Sequence, residues 1–312
     1  MRSRFAKIAM TISLALGLAA CGGVSNSSNT NAPGMGNPGD PAAPANPSVS
    51  AVPGNFDSGL VQVSQLEAAS RTPFGAFGSD PLGSGRVHVE NDATDHEMQA
   101  KVNGAIANSA YSVSFCSFAS GLGNCRTVAS VMTDGQGNGE ANLTLPAGAF
   151  AGIFLWQRMG ANQFVTGFPN GGTGNSASPR DSGPGNGNDA SGNDQQRFKI
   201  SLEPAGAVSG GLGAGFSLGS DTLSEGSVRV EPGHNEAQVE GAPANVTYSI
   251  TFCRFGTGAS GCTAAGSLAT NNDGEGHASL TFVPSAPVAG VFVLSRSVSG
   301  ASVAEFVTGF RP

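Results

Sequence analysis

From Tyr111 the chain alternates in character, with Tyr111, Val113 and Phe115 apolar and Ser112, Ser114 and Cys116 small or polar. Tyr248, Ile250 and Phe252 alternate with Ser249, Thr251 and Cys253 in the same way. A period of two puts successive side chains on opposite faces of a strand, so each run predicts one dry face and one wet face. The same alternation recurs at Met98, Ala100 and Val102, at Ala141, Leu143 and Leu145, and at Ala278, Leu280 and Phe282. Gly, Asn, Ser and Asp fill the gaps, and no segment carries a helical period of useful length. The pattern predicts an all-β protein built of seven or eight short strands per repeat, each repeat a β-sandwich.

The chain is written twice. "YSVSFCSFASGLGNC" returns as "YSITFCRFGTGASGC", "GSDPLGSGRVHVE" as "GSDTLSEGSVRVE", and both copies close on "FVTGF". "VSQLEAA" and "KISLEPA" extend the match upstream and set Glu67 against Glu203. The expected division is a signal segment over residues 1–20, a disordered tether over 21–57, one sandwich over 58–169, a Gly/Asn/Ser-rich linker over 170–196 and a second sandwich over 197–312. Tether and linker hold too few large apolar side chains to offset the entropy of ordering. Two beads on a string is the simplest arrangement of such a chain.

Composition narrows the function. Charged residues make up 12% of the 312 residues and glycine contributes 47, which excludes a helical bundle or a charged disordered chain. A formal charge of −7 leaves no basic face for phosphates, so no nucleic-acid partner is expected.

Arg2, Arg4 and Lys7 precede an apolar run from Ile8 to Leu18, which is shorter than the ~20 residues of a spanning helix and reads as an export signal. Its end, Leu18-Ala19-Ala20-Cys21 followed by two glycines, resembles the lipobox of bacterial lipoprotein precursors. That resemblance implies cleavage before Cys21, lipidation of Cys21 and a membrane partner reached through the lipid. Gly22 is not aspartate, so an outer-membrane or cell-surface address is expected. With Cys21 set aside, four of the five cysteines remain as two pairs of equal spacing. An oxidising compartment would join Cys116 to Cys125 and Cys253 to Cys262 across wet-face positions. Zinc is the rival reading, but its ligand pairs sit closer together and no histidine pair accompanies these.

The strand pattern resembles the immunoglobulin-like sandwiches of bacterial surfaces, although its cysteines close a local loop and its single tryptophan, Trp156, is answered by Leu294. Chemistry is sparse. Asp134 and Asp273 lie in glycine-rich turns that offer a weak calcium alternative, but the twelfth position of an EF-hand count falls on Leu145 or Phe282. "GFSLG" at Gly215 to Gly219 has the letters of a nucleophile elbow without its strand-to-helix context. No cofactor or catalytic residue is expected. Among the charges found in both copies, Arg158 and Arg296 are the candidates for a shared functional surface.

These features point to a non-enzymatic, lipid-anchored envelope or surface protein whose repeats adhere, bind a protein or glycan, or act as spacers. The alternatives are an enzyme, or its accessory domain, acting on envelope polysaccharide, and a periplasmic assembly factor offering a sheet edge to a client strand.

Overall fold

Alternating apolar positions become strands throughout the computed structural model, which describes residues 54–91, 96–168, 198–231, 234–282 and 284–312. The signal segment, Cys21 and nearly all of the tether and the linker lie outside the described residues. The first half contains β1 (Phe56–Gln62), β2 (Ser84–Asn91), β3 (His96–Asn103), β4 (Ala110–Ser117), β5 (Cys125–Met132), β6 (Gly139–Asn142), β7 (Gly152–Arg158) and β8 (Ala161–Thr166). The second contains β9 (Phe198–Pro204), β10 (Ser217–Leu218), β11 (Glu225–Glu231), β12 (His234–Glu240), β13 (Thr247–Arg254), β14 (Cys262–Ala269), β15 (Gly276–Ser279), β16 (Gly290–Val298) and β17 (Ala301–Thr308). The protein is all-β, as the alternation predicts.

In each half the strands run in a ring. β1 pairs with β2 through Phe56–Gly59 and with β8 through Leu60–Gln62, so one strand belongs to two sheets. From β2 the ring continues through β3 to β6, and from β8 through β7 and β4 to β5. The Thr144 N–H donates to the Val128 carbonyl at 2.9 Å and closes the circuit. β9 opens the second ring in the same order, closed where Thr281 N–H donates to the Ala265 carbonyl at 2.8 Å.

The halves are not separate beads. β1 and β9 pair antiparallel, with Phe56 opposite Ile200 and Asp57 opposite Lys199, so one sheet runs across both halves. Each copy of "FVTGF" delivers its last phenylalanine to the other half. Phe310 packs against Phe56, Phe115 and Phe154 of the first half at ring separations of 5.3–5.6 Å. Phe168 packs against the corresponding Phe198, Phe252 and Phe292 of the second. Backbone bonds fix the exchange: Phe150 and Phe310 bond each other reciprocally at 2.8 and 2.9 Å, and Phe168 and Val288 do so at 2.8 and 3.0 Å. The described residues form one compact unit with an apolar core drawn from both halves.

A second apolar core accounts for a correction. Cys116 and Cys253 are fully buried rather than on a wet face, together with Ile153, Leu155, Val291 and Val293. These side chains point away from the first core into a second layer shared by the two halves, where Phe74 stacks on Phe255 at 5.9 Å. The repeat register also differs from the letter match. Leu60 faces Thr166 and Leu202 faces Thr308, so Val61, not Glu67, is the counterpart of Glu203.

Candidate functional site

The disulfides come first in building the site. Cys116 lies directly opposite Cys125 in the β4–β5 pair, and Cys253 opposite Cys262 in β13–β14, and each pair is bonded. Each bridge staples a short 3-10 turn, Gly121–Asn124 in one half and Gly258–Gly261 in the other. The second core holds the two stapled turns next to each other. A Cβ on Gly121 would come within 3.8 Å of the Gly256 Cα, and one on Gly258 within 3.2 Å of the Ala214 carbonyl. Between the turns and the glycine-rich stretch before β10 lies a cleft of about 470 Å³. Phe118 and Leu212 are its large apolar members, Gly121, Gly215 and Gly256 bring backbone to its walls, and Ser260 is among the residues that contribute a hydroxyl. No charged side chain lines it.

Arg158 and Arg296 do not form an open surface. Arg158 grips Asp80 with two nitrogens at 2.5 and 2.6 Å, and the Tyr111 hydroxyl donates to the same carboxylate at 2.8 Å. In the second half Arg296 donates to Asp221 at 2.6 Å and Tyr248 does so at 2.8 Å. The constellation is duplicated, and it ties the loop before the second strand of each ring to that ring. Gly78 and Gly219 allow this, because the Gln163 and Glu305 side chains lie where a Cβ would sit. From there Gln163 accepts the Asp80 N–H at 3.2 Å and Glu305 the Asp221 N–H at 3.0 Å.

One exchange separates the two knots electrostatically. In the first, the Arg158 guanidinium holds Asp80 below the usual aspartate range. In the second, Glu305 adds a buried carboxylate, which Arg296 shares at 2.9 Å with Asp221. Burial, reinforced by the neighbouring Glu305 charge, pushes Asp221 upward. Burial and the adjacent Asp80 also raise the Tyr111 phenol to about 12.

The turn acids have structural employment. Asp134 Oδ1 accepts N–H bonds from Gln136 and Asn138 at 2.8 and 2.9 Å, which holds its carboxyl below the usual range. Its counterpart is Asn271, which accepts from Asp273 and Glu275, both at 2.9 Å. A neutral amide does the same work, so the turn needs an acceptor rather than a charge. Among the described residues no three His, Cys, Asp or Glu side chains are grouped to hold a metal. Ser217 of "GFSLG" sits in β10, a two-residue strand, not at an elbow before a helix.

Nothing in the sequence singled out Gln163 or Glu305, and Tyr111 and Tyr248 read there only as dry-face strand positions. The signal was present: the chain has only two tyrosines, at equivalent places, and a buried phenol needs a partner. No family model, curated protein or solved structure matches the chain. The class defined by fold and site is a duplicated, disulfide-stapled β protein whose two rings share their cores.

Proposed function

We propose that the protein is a lipid-anchored, non-enzymatic component of a bacterial envelope, held at the membrane through Cys21, whose body binds a protein or glycan partner. The lipobox-like end of the export signal carries the anchor half of this reading. The binding half is supported by the uncharged cleft between the stapled turns, whereas the duplicated Arg158 and Arg296 knots are engaged in internal bonds. With shared cores the two repeats present one surface in place of two tethered modules.

The test is the intact mass of the protein from a membrane fraction, taken before and after reduction and alkylation. Acylation at Cys21 with two bridges and no further thiol is the expected result. An unlipidated mass would remove the anchor from the proposal.

A further inference from the structure

Ring closure leaves this molecule few sheet edges. β5 and β6 protect one another through the Thr144 to Val128 bond, and β14 and β15 do so through Thr281 to Ala265. β10 differs: among the described residues it pairs with β17 alone, in parallel, with Ser217 beside Val303 and Leu218 beside Ala304. The Gly219 N–H donates to the Ala304 carbonyl at 2.7 Å. Backbone groups alternate sides along a strand, so the Leu218 N–H and C=O point away from β17. Ser217 is exposed and Leu218 is 44% exposed. The chain leading into β10 forms one wall of the uncharged cleft.

The corresponding place in the first half has the same parallel geometry but, among the described residues, no such cleft beside it. Phe77 bridges Asn162, is 43% exposed and carries the Arg71 guanidinium over its ring at 5.3 Å, and it is not among the residues lining the cleft.

We propose that β10 and the adjoining cleft dock an extended polypeptide strand of a partner protein, by backbone pairing at Leu218, with small uncharged side chains entering the cleft. An open edge presents a donor and an acceptor at strand spacing, which another strand satisfies. The charge-free lining selects against acidic and basic side chains, whose desolvation it would leave uncompensated. The assignment rests on reading the protein as a binder but not on its lipid. The peptide experiment tests the edge and the mass measurement tests the anchor, so either can fail alone.

The probe is a library of uncharged octapeptides displayed on phage and panned against the full chain carrying Cys21→Ser. Selected peptides are then synthesised for fluorescence anisotropy. Binding should weaken about tenfold when alternate peptide nitrogens are methylated, because one or two backbone bonds are lost. Leu218→Pro, which removes the edge donor and keeps the bonds to β17, should have the same effect, while Phe77→Pro, at the equivalent edge outside the cleft lining, leaves affinity unchanged. Binding that is indifferent to N-methylation, or no selected peptide at all, overturns the proposal, and the N-methyl arm stands even if Leu218→Pro misfolds. A concentration-dependent dimer abolished by Leu218→Pro would assign the edge to a second copy of the chain and overturn it equally.

Discussion

At the scale of single residues, the two knots form an internal comparison in which Gln163 and Glu305 are the variable. Arg296 must serve two buried carboxylates, whereas Arg158 serves one. Glu305→Gln should therefore raise stability by about 1 kcal/mol, and Gln163→Glu should lower it by about 1–3 kcal/mol, read from denaturant midpoints. The pH dependence follows from the directions of shift. Asp221 is raised in the folded protein, so its contribution is complete below the ordinary aspartate value of 3.8 and is lost as pH rises through the folded value. Asp80 is lowered, so its contribution is present above 3.8 and is lost as pH falls through the folded value. Relative to wild type, Glu305→Gln should gain less stability in thermal melts as pH is lowered from neutrality towards 3.8.

At the scale of elements, the stapled turns carry the next expectation. Replacing Cys253 and Cys262 together by alanine removes a loop closure of roughly ten residues and should cost about 2.5–3 kcal/mol. It should also loosen one wall of the cleft, seen as faster amide exchange at Gly256 and Ala259. Strand identity was legible in the alternation because burial on one side is a local property of a strand. The dryness of the other side at Cys116 and Cys253 was not, since it depends on a second layer assembled from both halves. Repeat register was misread at Glu67 because its glutamate matched by letter, while the hydrogen-bond partners Thr166 and Thr308 set the true equivalence at Val61 and Glu203. Both cysteine pairs were legible from spacing. The knots were not, because Asp80 lies 31 residues from Tyr111 and 78 from Arg158.

At the scale of the whole molecule, the exchanged phenylalanines make each half a part of the other. Trp156 lies buried in the first half, and Leu294 stands at its counterpart, so intrinsic tryptophan emission reports on that half alone. Phe310→Ala, made in the second copy of "FVTGF", should nevertheless shift the Trp156 unfolding transition by about 3–5 kcal/mol, the cost of emptying an aromatic core site. An unaltered Trp156 transition would return the halves to independence. The rings of Phe168 and Phe198 are in contact, so the chain between them departs from and returns to one place. A single protease cut between these residues should leave two fragments that elute together with Trp156 emission unchanged.

The exchange also sets the order of events when the chain is made. Phe56 waits for a partner behind the last strand, and Asn91 bonds the Arg311 carbonyl across 220 residues of sequence. Contacts so remote in sequence form slowly, because long loops must close before they are rewarded. The first half is therefore unfinished when it is made, with an unfilled aromatic pocket and a β1 stretch that lacks its β9 partner, until the second has emerged behind it. During that interval the unfilled pocket and the open strand expose the chain to aggregation, a hazard that ends when the second half completes the core.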